Sequence, residues 1–388
     1  SLSFKAILLL PVPAQTSCHL FCTVIDNYGD LGVCWRLARH LADEHALAVT
    51  LWVDDLVSFQ RLAPDIDSAQ SSQMLGKLCI RHWQGDAVDA TPGDLVIEGF
   101  ACSLPASYIR AMAARSSAPV WINLEYLSAE AWVEGCHGLT SVHPGTGLIK
   151  HFWFPGFGAG TGGLLRTAEE LERIRIANER PRVCRQISLF SYEQPGIASL
   201  LDALASDAQA SVLNVFTGRS LPDVERWLGR DLVSGDEVSQ GALTLRVLPL
   251  LPHADYDQLL ANSDLNLVRG EDSFVRAQWA GEAMLWHIYP QDEQAHLIKL
   301  AAWQQRVETV AAAANTPMPA SWGQMLMTWN HPATQAGNCQ PEDWLRFFAT
   351  LPEIRAALQS WRQHLLAQPD LATQLMRFYA DRVESRPK

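Results

Sequence analysis

Apolar residues in this chain fall in short blocks separated by stretches of helical periodicity. Cys18 to Ile25 is apolar and β-branched, a glycine-containing loop follows, and Val33, Leu37 and Leu41, with Ala38 and Ala42, then recur at helical spacing. Further strand-like runs occupy Ala48 to Val53, Asp94 to Ile97, Val120 to Leu124 and Gly138 to Val142, with helical segments such as Tyr108 to Arg115 between them. Alternation of this kind predicts a parallel sheet covered by helices. The most glycine-dense stretch of the chain, Pro155 to Gly163, interrupts the pattern and predicts a junction. Strand and helix signals resume at Cys184 to Phe190, Ala210 to Phe216, Leu243 to Leu248, Asp264 to Val268 and Ala283 to Tyr289. From Pro341 onward, Trp344, Phe347, Phe348, Ile354, Leu358, Trp361, Leu365, Leu375 and Phe378 mark an amphipathic helical tail. The expected organisation is therefore a Rossmann-like domain at 1–160, a linker region at 161–183, a second Rossmann-like domain at 184–340 and C-terminal helices at 341–388.

Composition narrows the class without changing this layout. A length of 388 residues exceeds what one core usually supports, which favours two domains. With 48% hydrophobic and 19% charged residues, and no apolar run long enough for a membrane helix, a globular cytoplasmic protein with no membrane partner is expected. The apolar run Phe4 to Leu10 is too short and too soon followed by Pro11 and Pro13 for a signal peptide, and reads as a frayed lead-in. A net charge of -12 argues against nucleic acid as a partner. Eight cysteines without a C-x-x-C pair, several in apolar surroundings, read as reduced core thiols rather than ligands or disulfides.

Two loops carry the candidate chemistry, each at a predicted strand-to-helix turn, where α/β domains bind ligands. In Asp26 to Gly32 the carboxylates of Asp26 and Asp30 are four positions apart, which suits base chemistry if they share a site. One of them could instead cap the helix and the other form the turn. In Arg269 to Ser273, an arginine, loop amides and a helix start converge beyond a strand end, a setting for phosphate. Glu271 there is expected to accept hydrogen bonds from hydroxyls rather than face an anion. The alternative for this loop is that Asp272 or Ser273 caps the helix while Arg269 pairs with an acid. Asp54 and Asp55 read as a strand-end turn, the histidines lack ligand spacing, and no metal is expected. Gly156 to Gly163 lacks the Lys-Ser/Thr of a P-loop, and the spacing Gly158, Gly160, Gly163 lacks a strand-turn-helix frame.

Four blocks, Asp26 to Arg39, Trp121 to Ser128, Arg269 to Gly281 and Trp286 to Glu293, together resemble the EarP family of bacterial protein-arginine rhamnosyltransferases. The resemblance runs from about Leu20 to Trp303 and weakens in the helical tail. It implies a GT-B fold: two Rossmann-like domains, an interdomain cleft and a closing helical tail. The implied reaction is inverting transfer of L-rhamnose from dTDP-β-L-rhamnose to an arginine of translation elongation factor P, with no cofactor. By the same resemblance Asp30 is the catalytic base with Asp26 beside it. Phe190, Tyr192, Arg269, Glu271, Asp272 and Ser273 bind the donor, with Glu271 also at the reacting centre. His253 stands where the family usually has glutamine near the thymine, and a group titrating near neutrality there is expected to affect base recognition. Two rival readings are an NAD-dependent two-domain oxidoreductase, which predicts a G-x-G-x-x-G absent after the first strand, and a noncatalytic elongation factor P adaptor.

Overall fold

The computed structural model describes residues 14–25, 28–100, 102–331 and 339–387. The expected lead-in Phe4 to Leu10 and the candidate acid Asp26 lie outside the described residues.

Fourteen strands are described: β1 Ser17–Cys22, β2 Ala48–Val53, β3 Ser72–Leu75, β4 Leu78–His82, β5 Leu95–Gly99, β6 Val120–Leu124, β7 Thr140–Val142, β8 Ile149–Trp153, β9 Arg185–Leu189, β10 Ser211–Phe216, β11 Glu237–Gln240, β12 Leu243–Leu248, β13 Leu265–Arg269 and β14 Ala283–His287. They form two sheets, one ordered β3-β4-β2-β1-β5-β6-β8-β7 and the other β11-β12-β10-β9-β13-β14. Strands buried on both faces read as unbroken apolar runs, and β5, β6 and β14 are buried at every position for that reason. The chain is thus a two-lobed α/β protein, as the alternating pattern predicts.

The departures are at the sheet edges. β7 was expected as another parallel strand but pairs antiparallel with β8, as β3 does with β4 and β11 with β12. Lys150 and His151 interrupt the apolar run of β8, and β3, β4 and β11 are short and partly polar, so periodicity alone does not single them out.

Strand order fixes where a ligand can sit. In the first sheet β1 lies between β2 and β5, and in the second β9 lies between β10 and β13. Each lobe therefore reverses its winding direction at that strand, and the loops leaving the carboxyl ends splay apart to leave a crevice. The loop after β1 leads into the helix Gly29–Asp43, and the loop after β13 into the helix Asp272–Ala280.

The tail closes the molecule. Trp344, Phe347, Ile354, Trp361 and Leu365 pack into the core of the second lobe. Leu371, Ala372 and Leu375 of the last helix, Leu371–Glu384, belong instead to the core of the first lobe. Its start is fixed by Asp370, which accepts from the Thr373 N–H at 3.0 Å, and by the Leu371 N–H donating to the Leu164 carbonyl at 2.8 Å.

Candidate active site

Two adjoining cavities occupy the crevice. The first, of about 120 Å³, is lined by Phe190, Tyr192, His253, Arg269, Glu271, Asp272 and Ser273, so it gathers every expected donor residue. Phe216, Leu251 and Tyr256 complete an aromatic and aliphatic wall, with Phe190 packed edge-on against Phe216 at 5.4 Å. The second, of about 350 Å³, is lined by Asp30, Tyr126, Leu127, Tyr192, Glu271, Tyr289 and Lys299. Gly29, Tyr192, Gly270 and Glu271 belong to both walls, which makes the cavities neighbours across one loop.

The second-lobe loop is shaped for an anion. Gly270 takes φ +62°, a left-handed conformation that costs glycine little, and its carbonyl accepts from Trp286 Nε1 at 2.8 Å. The helix Asp272–Ala280 then starts with no side chain capping its first turn. A helix start without a side-chain cap offers amides and a positive dipole end to an anion. Ser273 is turned inward: its Oγ accepts from the Arg269 N–H at 3.2 Å and donates to the Arg269 carbonyl. Among the described residues Arg269 pairs with no carboxylate. Its Nη1 donates to the Ser191 carbonyl at 3.2 Å, and its guanidinium lies 4.1 Å from the ring centre of Phe190 and 5.0 Å from that of Tyr192. The capping-and-ion-pair alternative for this loop is therefore not what the structure contains.

Three acids behave differently from one another. Asp30 is in the first turn of its helix, whose N-cap is Tyr28 and not an aspartate. Burial raises its carboxyl to about 6, against the opposing hydrogen bond from Tyr126 Oη to Asp30 Oδ2 at 2.8 Å. Glu271 Oε1 accepts from the Leu127 N–H at 2.8 Å, yet burial pushes its carboxyl up to about 8. Glu271 is thus largely protonated at neutral pH and can stand beside an anion without charge repulsion. Asp272 goes the other way. Despite its burial, the Arg36 guanidinium holds it well below the usual carboxylate range, through Nε to Oδ1 at 2.9 Å and Nη2 to Oδ2 at 3.2 Å. The Asp272 carboxylate thus ties the two lobes together while the residue also lines the first cavity.

His253 also differs from expectation. It packs on Trp35 with ring centres 4.4 Å apart, and Arg39 Nη2 donates to its Nδ1 at 2.6 Å. Burial among Arg36, Arg39 and Arg276 keeps it neutral well below its ordinary range, so it does not titrate near neutrality. The Arg39 bond fixes the tautomer with the proton on Nε2.

Sequence reading paired Asp30 with Asp26, which lies outside the described residues; the carboxyl described across the cavity from Asp30 is Glu271 of the other lobe. It also left the block Trp121 to Ser128 without a role, although Tyr126 and Leu127 touch both acids. Asp55 caps the helix Leu56–Leu62 through Ser58, and Asp54 accepts from the Val24 N–H at 2.8 Å, in keeping with a strand-end turn. Among the described residues no three His, Cys, Asp or Glu side chains are grouped to hold a metal ion, and no helix is long and apolar enough to cross a membrane.

Comparison with known proteins agrees with this layout. The profile of the family described as elongation factor P (EF-P) rhamnosyltransferase EarP matches residues 18–380. A protein-arginine rhamnosyltransferase of Pseudomonas putida is 45% identical over 377 residues, covering 93% of this chain and 97% of the relative. A solved structure from work on EarP-mediated arginine glycosylation of translation elongation factor EF-P superimposes with TM-score 0.64 at 32% identity, over 95% of this chain and 99% of that one. A UDP-glucosyltransferase of Polygonum tinctorium shares the fold, with TM-score 0.53 at 11% identity over 97% of this chain and all of its own.

Proposed function

The chain belongs to the EarP family of elongation factor P rhamnosyltransferases, and on that footing we propose that it moves L-rhamnose from dTDP-β-L-rhamnose, with inversion, to one arginine of elongation factor P. The observation that carries this reading is the meeting of Asp30 from the first lobe and Glu271 from the second on one cavity, beside an aromatic pocket and an uncapped helix start.

The chemistry has to overcome a poor nucleophile. A guanidinium is protonated in water and its lone pairs are delocalised. In the proposed reaction Asp30 accepts a proton from the attacking nitrogen as the bond from that nitrogen to the anomeric carbon forms. The bond from that carbon to the diphosphate oxygen breaks on the opposite face, which inverts the centre. Asp26 is proposed to orient the guanidinium. Charge on the departing diphosphate is met by Arg269 and the amides of residues 271–273, so no metal is assigned to the reaction. Phe190, Phe216 and Tyr256 suit the thymine, with His253 at its edge as a neutral hydrogen-bonding group, and Tyr192 lies between base and sugar. A cytoplasmic setting accords with the eight free thiols.

Incubating the protein with dTDP-rhamnose and elongation factor P and weighing the acceptor tests the proposal. A gain of one deoxyhexose on one arginine is expected, and an unchanged acceptor mass sinks it. The neutral state of Glu271 gives a second prediction. Glu271→Gln, which stays neutral and keeps an acceptor for the Leu127 N–H, should hold donor affinity within about twofold at pH 7, whereas Glu271→Ala should weaken it on the order of tenfold, about one hydrogen bond. Titration calorimetry with dTDP-rhamnose reads the difference, and equal affinities for the two variants would contradict the role.

A further inference from the structure

The loop that leaves β6 reaches one acid of each lobe with consecutive residues. Tyr126 Oη donates to Asp30 Oδ2 and the backbone N–H of Leu127 donates to Glu271 Oε1, both at 2.8 Å. Tyr126 is 44% exposed, so burial alone does not fix its hydroxyl. Its ring is instead stacked on Phe100, with centres 4.7 Å apart and planes 22° off parallel. Phe100 is buried and holds a left-handed conformation, φ +51°, that is uncommon for a bulky residue. It is secured there by its N–H donating to the Leu124 carbonyl at 2.9 Å. A strained residue retained beneath a half-exposed tyrosine signals that the tyrosine's direction matters.

We infer that Tyr126 is a positioning residue for transfer: its hydroxyl fixes one oxygen of Asp30 and leaves the other to face the acceptor nitrogen, while the Leu127 amide sets Glu271 against the same frame. This rests on the reading of Asp30 as base. The hydroxyl favours the ionised carboxylate, and it is the hydrogen bond that opposes the effect of burial on Asp30. Among the described residues, the other titratable groups facing this pair are Cys34 and Glu271 around Asp30, and Lys299 and Asp272 around Glu271; none of them is changed by losing the hydroxyl.

The test is the pH profile of kcat/KM for the acceptor in wild type, Tyr126→Phe and Asp30→Asn, with donor affinity measured by calorimetry and folding checked by thermal melting. Tyr126→Phe should move the acid limb upward by about one pH unit, the size of one lost hydrogen bond to a charged group, which lowers the rate about tenfold below the limb and about twofold near neutrality, with donor affinity unchanged. A Tyr126→Phe profile that superimposes on wild type, or one lowered at every pH without a shift of the limb, overturns the assignment to Tyr126 while an inactive Asp30→Asn leaves the base reading standing. Wild-type turnover in Asp30→Asn defeats the base reading itself.

Discussion

Asp30→Asn is expected to lose on the order of a hundred- to ten-thousandfold in kcat, the range that general-base catalysis supplies, while binding dTDP-rhamnose as wild type does. The split follows from where the residues sit: Asp30 is carried by a first-lobe helix and does not line the aromatic cavity, most of whose wall comes from the segments after β9, β12 and β13 of the second lobe. Asparagine keeps the shape and can still accept from Tyr126 Oη, so what it removes is the proton acceptor. In the proposed reaction the active form is the carboxylate, so the wild-type rate should rise through about pH 6 and level off above. The stability effect has the opposite sign. An acid raised on folding binds its proton more tightly in the native state, so its contribution to stability falls as pH climbs from the unfolded value toward about 6. Replacing it with a neutral amide removes that penalty, and Asp30→Asn should melt above wild type at neutral pH while losing turnover. A variant that is both less active and less stable would point to a structural role for Asp30, and one with wild-type turnover would remove it from the chemistry.

What the sequence disclosed and what it hid divide along chain distance. The strands Ala48–Val53 and Val120–Leu124 coincide with largely apolar blocks, as buried parallel strands require, while Leu243–Leu248 shows by alternation, with Leu243, Leu245 and Val247 buried and Arg246 exposed. The loop from Arg269 to Ser273 was legible for a related reason: glycine, a preceding strand and a following helix are all local features. The state of its acids was not. Glu271 is driven toward its neutral form and Asp272 away from it although they are adjacent in the chain, since burial outweighs the Leu127 amide at the first while the second meets a guanidinium 236 positions earlier. Tyr126 escaped notice similarly, because nothing near it in sequence reveals that Asp30 lies 96 positions back at hydrogen-bond distance. Propensity and periodicity describe neighbours along the chain, whereas carboxyl tuning depends on neighbours across the crevice.

The largest loss of stability is expected from Arg36→Met. Arg36 is fully buried on the helix that carries Asp30, and it serves three acids of later segments: Asp272 in two hydrogen bonds, Glu170 Oε1 through Nη1 at 2.9 Å, and Asp257 Oδ2 through Nη1 at 3.5 Å. Arg276 shares the load, its Nη1 donating to Glu170 Oε2 at 2.9 Å, and His40 Nε2 lies 2.9 Å from Glu170 Oε1. A buried pair gains little over a well-packed apolar substitute, but removing one partner strands the other's charge away from water. Methionine fills much of the volume and leaves the three acids with Arg276 and the more distant Arg39 as cations, so a loss of about 3–5 kcal/mol is expected in urea denaturation at neutral pH. Because the cluster is out of solvent, added salt should change that loss little. Arg36→Lys should recover part of it by keeping the charge without the planar fork that Asp272 uses. Arg36→Met combined with Asp272→Asn should cost less than the two separate losses added together, since the second change removes an acid the first had stranded. The same cluster joins the helix bearing Asp30 to the helix that follows the loop after β13, so Arg36→Lys should lower kcat more than it weakens donor binding. A loss in Arg36→Met of less than about 1 kcal/mol, the level of an exposed ion pair, would show that Arg36 does not hold the lobes together.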